Sequence, residues 1–190
     1  MAILPIITYN DPVLRKKTEP VTENGPKLQT LIDDMFETMY NASGVGLAAP
    51  QIGKLLRIFV VDADAITEQS EEPDLGPMVF INPQITKRFG DKLKMEEGCL
   101  SIPQVRDDVK RLSDINIQYL DRSFKPKKMS FDGWISRIVQ HEYDHLEGKL
   151  FLDYLSSFRR RMHRSKLQQI EDGLLKTDYL LKLKTVGKEA

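Results

Sequence analysis

Cysteine occurs once in the 190-residue chain, at Cys99, so no internal disulfide can form and a disulfide-stapled fold is excluded. No apolar run approaches the ~20 residues that a membrane span needs, so no membrane partner is expected. Neither sign of charge is in excess: 28 Lys and Arg stand against 28 Asp and Glu. That balance removes the global basic field of a DNA-binding protein, and no DNA partner is expected. The start, Met1-Ala2-Ile3-Leu4-Pro5-Ile6-Ile7, lacks a basic leader and a long apolar stretch, so no signal peptide is expected and the chain reads as cytoplasmic. Histidine is scarce too, with three in all, yet two of them fall within one helical turn of each other.

Helical signals flank a central block of strand signals. Leu28, Leu31, Ile32, Met35, Phe36, Met39 and Tyr40 recur at steps of three and four, predicting a helix from Gly25 to Ser43, with Pro26 at its start and Gly44 past its end. Arg57–Asp62, Met78–Asn82 and Ile115–Asp121 are short and rich in β-branched or aromatic residues, as strands are. Gln84–Met95 reads as a hairpin or two more short strands turning at Gly90-Asp91. Ala65–Pro77 reads as a polar loop and includes the acidic run Glu68 to Asp74. A second helix is expected from Asp132 to Gly148, and a third, basic and amphipathic, from Ser156 to Glu171, broken by Gly173 before a helical or frayed tail. This order gives an α+β domain: short, mostly antiparallel strands around a central helix, with an N-terminal helix and a C-terminal amphipathic helix.

The central helix carries the chemistry. In Gln140-His141-Glu142-Tyr143-Asp144-His145 the two histidines are at i and i+4, on one face, where two imidazoles can grip one divalent metal. Glu142, beside the first, can take a proton from a water that the metal activates. A catalytic site of this type needs a third protein ligand and one open position. His163 lies among arginines and suits that role poorly; Cys99, in Glu97-Gly98-Cys99-Leu100-Ser101, suits it better, because a thiolate binds first-row metals strongly. Asp144, three residues after His141, is expected to orient a neighbour. The residues so far leave several readings open: a zinc endopeptidase, another metal-dependent hydrolase, or a binding module, with Cys99 alternatively a small buried hydrophobe.

Three segments in order, Gly44-Val45-Gly46-Leu47-Ala48-Ala49-Pro50-Gln51, Glu97-Gly98-Cys99-Leu100-Ser101 and Gln140-His141-Glu142-Tyr143-Asp144-His145, resemble the signature motifs of the peptide deformylases. Leu4-Pro5-Ile6, Asp11-Pro12-Val13-Leu14-Arg15 and Leu146–Phe151 extend the resemblance over roughly residues 3 to 157. The resemblance implies metal-dependent hydrolysis of the N-formyl group from the formyl-methionine of newly synthesised polypeptides, with release of formate. Cys99, His141 and His145 would hold one divalent metal, with Fe2+ favoured in the family and Zn2+, Ni2+ or Co2+ also accommodated. Glu142 would be general acid and base, and Gln51 and the backbone N–H of Leu100 would stabilise the oxyanion. Trp134 and Ile138 precede His141 by seven and three residues on the same helical face. With Val45 and Leu100 they are candidates for a methionine pocket, core packing being the alternative. Gly46 and Glu97 join this substrate group from their motifs, and Arg111 matches a family arginine expected to contact substrate backbone. Gly44 and Gly46 would let the backbone approach a ligand.

Two departures from the family pattern stand out: Arg122-Ser123-Phe124 follows Asp121 where a glycine turn is common, and Ser136 replaces a small alanine. In organisation, residues 1–157 read as the catalytic part and 158–190 as a basic helix and tail appended to the same domain. The basic residues Arg159, Arg160, Arg161, Arg164 and Lys166 are either a solvated face or a contact to ribosomal RNA.

Overall fold

A helix whose faces are almost entirely covered organises the molecule. The computed structural model describes residues 1–63 and 75–184. Along the chain come β1 (Ile6–Ile7), α1 (Pro26–Asn41), β2 (Gly46–Ala48), β3 (Ile58–Val61), β4 (Met78–Cys99), β5 (Ile102–Leu120), β6 (Pro126–Phe131), α2 (Gly133–Leu146), α3 (Ser157–Met162), α4 (Arg164–Glu171) and β7 (Leu181–Lys182). Short 3-10 turns at Pro12–Arg15, Ala49–Ile52 and Phe151–Tyr154 link them. Strands β2-β3-β4-β5-β6 form one antiparallel sheet in that order, and β1 pairs with β7 in parallel. The architecture is α+β as expected, but two of the strands are long, 22 and 19 residues.

α2 holds its place through two unlike surfaces. Its apolar residues Ile135, Ile138, Val139 and Leu146 pack with Phe59, Phe80, Tyr119 and Phe131 of the sheet. Phe59 and Phe80 stack with centroids 4.6 Å apart. Each such fully buried side chain contributes roughly 1.5–3 kcal/mol of transfer free energy. The remaining surface of α2 buries Arg137, Gln140, His141, Asp144 and His145, which is tolerable only where polar groups find partners. α1 covers a second core with Leu28, Ile32, Met35 and Met39 against Leu47, Ile58, Val60 and Ile81.

Several expectations are revised. Gly90-Asp91 does not turn the chain. It is a bulge within β4, the two residues facing Ser113 alone between the pairs Phe89–Asp114 and Lys92–Leu112, with Gly90 at φ 78°. The strand expected at Ile115 begins at Ile102 instead. Its inward positions alternate apolar with charged side chains (Val105, Asp107, Val109, Arg111), which hides the strand period from a hydrophobicity reading. The expected basic helix is two helices meeting at His163, whose Nε2 lies 2.7 Å from the buried Asp107 carboxylate. Arg159 binds the same carboxylate. Burial pushes the Asp107 carboxyl up, but these two bonds outweigh it and hold it down to about 2. The tail beyond Gly173 is neither helical nor frayed through residue 184: it returns to β1 as β7. The expected loop at 65–77 lies outside the described residues except for 75–77.

Helix ends depart from simple glycine punctuation. After α1 the left-handed residue is Ser43, φ 52°, not Gly44, with Gly44 N–H donating to Met39 O at 2.9 Å. In the turn after Asp121, which has no glycine, Phe124 takes φ 59°, and Asp121 accepts from the N–H groups of Ser123 and Lys125 to hold it. After α2 the left-handed residue is Gly148, φ 71°, and here no side chain fits: a Cβ would lie 2.6 Å from the Arg15 carbonyl oxygen. Gly148→Ala combines left-handed strain with a backbone clash. It is expected to destabilise the protein by about 2–4 kcal/mol, read as a lowered Tm.

Candidate metal centre and active-site cleft

Two repeat lengths meet at this site. Two residues along a strand advance by about 6.7 Å and one turn of helix by about 5.4 Å, so a strand pair at i, i+2 can face a helix pair at i, i+4. Glu97 and Cys99, at the end of β4, meet His141 and His145 of α2 in this way. Glu97 Oε2 is 3.0 Å from His141 Nδ1, and Cys99 Sγ is 3.3 Å from His145 Nε2. One donor atom each from Cys99, His141 and His145 lies within 4.8 Å of the others. Metal–sulfur and metal–nitrogen bonds of about 2.3 and 2.05 Å at a tetrahedral angle imply a sulfur–nitrogen separation of about 3.5 Å, so this donor set fits a single first-row cation.

The electrostatics favour a cation at the same point. Burial pulls the His141 imidazole down, yet its bonds to Cys99 and Glu97 outweigh burial and hold its pKa well above the ordinary value. The negative charge of Glu97 that favours a proton there also favours a metal cation. His145 is pushed below its ordinary value, by burial first and then by His141. Burial is also the main cause that pushes Glu142 up to about 7. Glu142 Oε2 and His145 Nδ1 are buried without a hydrogen-bond partner among the described residues. Gly46 makes room for Glu142, because a Cβ at Gly46 would lie 2.5 Å from Glu142 Oε1. At Gly44 a Cβ would meet Leu100 at 2.7 Å. The space these glycines leave is thus filled by protein side chains, not held open for a ligand.

Gln51 is clamped so that its donor faces the centre. Its Oε1 accepts from Ala48 N–H at 2.8 Å, and Nε2 points to Ser101 Oγ at 3.3 Å and Cys99 Sγ at 3.6 Å. Leu100 occupies the tight turn between Cys99 and Ile102, which pair across the ladder. These groups open on a cleft of about 500 Å³, with Val45, Gly46, Leu100, Trp134 and Ile138 among its lining residues.

Two residues in the expected substrate group are turned elsewhere. Arg111 is buried and does not line the cleft. Its guanidinium donates to both oxygens of Glu97 at 2.7 and 2.9 Å and to Asp144 Oδ2 at 2.6 Å, which turns it toward these carboxylates and away from the cleft. Glu97 borders the cleft, but its carboxylate is saturated by Arg111, His141 and Arg137, the last at 2.9 Å. Burial would push the Glu97 carboxyl up; the bonds from Arg111 and His141 hold it well below the usual range. Both residues sit behind His141 and fix its ring through Nδ1, leaving Nε2 for the centre. Asp144 also accepts from Tyr154 at 2.8 Å. Sequence reasoning missed Arg137, Ser101, Tyr154 and Tyr179. For Arg137 a signal existed, a cation four residues before His141 on an otherwise covered helix.

A cysteine sulfur and two imidazoles around one point, with a buried glutamate alongside and an amide donor facing them, make a mononuclear metallohydrolase type of centre. Comparison with known proteins gives the family. The model of the polypeptide deformylases matches residues 3–161. The peptide deformylase of Salinibacter ruber is 51% identical over 183 residues, covering 94% of each chain. That of Christiangramia forsetii is 45% identical over 98% of each. Among solved structures, the Legionella pneumophila enzyme superposes with a TM-score of 0.80 at 43% identity, covering 91% of this chain and 98% of that one. The Ehrlichia chaffeensis enzyme gives 0.82 at 38%, covering 92% and 100%. The chain belongs to the peptide deformylase family.

Arg111→Met tests the network behind His141. Leaving Glu97 and Asp144 buried with one guanidinium fewer is expected to destabilise the fold by about 3–5 kcal/mol in a denaturant titration. Metal affinity, measured by competition with a chelator, should fall roughly 10- to 100-fold.

Proposed function

We propose that this chain hydrolyses the N-formyl group of formyl-methionine at the start of nascent polypeptides, releasing formate, with Cys99, His141 and His145 holding one divalent cation. The observation that carries this reading is the convergence of those three donors, two of which, Cys99 and His141, line one cleft together with Glu142 and Gln51. When bound, the cation supplies Lewis acidity toward water and the formyl oxygen. Glu142 accepts the proton that water gives up as its oxygen bonds the formyl carbon. As the carbon–nitrogen bond breaks, Glu142 returns that proton to the departing amine, and formate and the free methionyl amine result. Gln51 Nε2 and the Leu100 N–H donate to the oxygen that gains negative charge, a contribution of about 3 kcal/mol for a well-aimed donor. Val45, Trp134 and Ile138 supply an apolar wall for the methionine side chain, and the backbone of Gly46 borders the reacting carbonyl.

The cation we assign is Fe2+, with Zn2+, Ni2+ and Co2+ as substitutes, because one thiolate and two imidazoles suit all four and the family favours iron. The cytoplasm, which keeps thiols reduced, is the matching compartment. Formate release from formyl-Met-Ala-Ser by anaerobically purified protein, with metal analysis, tests the reading; iron- or nickel-loaded protein that releases none would refute it. Glu142→Gln should keep its metal and lose roughly 10²- to 10⁴-fold in kcat.

We also propose that α3 and α4, the basic helices that follow residue 157, offer a contact to the ribosome. Arg161 and Arg164 are exposed, whereas Arg159 and Arg160 bind Asp107 and the Leu152 carbonyl and hold these helices to the body. Reversing both exposed charges (Arg161→Glu with Arg164→Glu) should reduce co-sedimentation with ribosomes and leave formate release from the tripeptide unchanged; undiminished co-sedimentation would exclude this contact.

A further inference from the structure

The turn that follows the cysteine ligand has both of its carbonyl oxygens held, each by a distant part of the chain. Ser101 O accepts from Tyr9 N–H at 2.9 Å, just past β1. Leu100 O accepts from the Tyr179 hydroxyl, also at 2.9 Å, just before β7. The two anchors are themselves joined, since β1 and β7 pair in register at Ile6–Leu181 and Ile7–Lys182. Ile6 N–H donates to Leu180 O at 2.8 Å, and Gln104 Nε2 donates to Lys176 O at 3.0 Å. Tyr179 also borders the cleft that contains Glu142, Gln51 and His141, and its ring packs on the same core cluster as Leu100. Tyr179, Lys176 and β7 all lie beyond residue 161, where the family match stops.

We propose that Tyr179 is a positioning residue of the active site. From the C-terminal tail its hydroxyl fixes the Leu100–Ser101 turn, and its ring closes one wall of the cleft. The inference rests on reading this cleft as the site of deformylation. The Leu100 N–H is useful only if the turn presents it in one orientation, and a peptide unit anchored on one side alone can rotate. With Tyr9 holding Ser101 O and Tyr179 holding Leu100 O, the two peptide units that follow the Leu100 N–H are fixed, and the pairing of Cys99 with Ile102 holds the chain on its other side, so the N–H keeps one direction. The gain appears when charge develops on substrate oxygen and not when substrate first binds, so it belongs in kcat more than in KM.

Y179F keeps the ring and removes the hydroxyl. In metal-loaded protein acting on formyl-Met-Ala-Ser, kcat per bound metal should fall roughly five- to tenfold, the loss of about one hydrogen bond. KM should stay within about twofold and metal content should be unchanged. Amide hydrogen exchange in the peptide covering Cys99 to Pro103 should accelerate. A kcat per metal within twofold of the parent with unchanged exchange would overturn the proposal, as would an activity loss that merely tracks lost metal or lost folded protein. Y179A, which removes the wall as well, should raise KM further, and an unaltered KM would remove the wall from the claim. Absence of formate release by the parent protein would strike the reading of the cleft instead. The exchange rate needs no turnover and would still decide whether Tyr179 holds the turn.

Discussion

The carboxylate of Glu97 is the joint between sheet and central helix. It projects from the last turn-ward stretch of β4, accepts from Arg111 of β5, and accepts again from Arg137 and His141 of α2. Remove it, and two guanidinium groups lose the carboxylate they share in the interior while the His141 ring loses the contact that fixes its rotation. Cys99, two residues further along, stands opposite His145 on the strand end that this carboxylate ties to the helix. The geometry of the centre is therefore a consequence of a charged interaction made behind it.

Such a joint is costly. Burying ions forfeits several kcal/mol of hydration each, and a well-packed apolar replacement is often no less stable. The cost is limited here because both Glu97 oxygens accept from Arg111 or Arg137, Asp144 pairs with Arg111, and the Tyr154 ring lies 4.5 Å from the Arg111 guanidinium. What the polar arrangement provides, and an apolar one does not, is direction. Leucine and phenylalanine at these positions would fill the space but would leave the imidazole free to turn.

The same buried charges set the boundary of what the amino-acid sequence reveals. The stripe Leu28, Ile32, Met35 and Met39 and the spacing of His141 from His145 are local patterns, so α1, α2 and two of the three metal donors were legible at once. Cys99 was legible by elimination and by motif. β5 was legible only in its last third, because Asp107 and Arg111 occupy inward positions that a hydrophobic pattern marks as outward. Arg111 was misplaced for a related reason: a sequence displays an arginine's charge but not the two carboxylates that consume it. The break at His163 depends on Asp107, 56 residues away, and the Tyr179–Leu100 bond spans 79 residues. No window of local sequence contains such contacts. Gly90-Asp91 has the composition of a hairpin turn, and only the continuing ladder on both sides makes it a bulge.

The parallel pairing of β1 with β7 has a consequence in time. Roughly 175 residues separate the two partners, so β1 is made early and must wait for nearly all of the sheet and α2 before its neighbour exists. Closing a loop of that length carries an entropic cost that only a largely assembled body offsets. The strand pair is thus an index of completion: the edge of the cleft acquires its final form last, after the cysteine and both histidines have already been brought together.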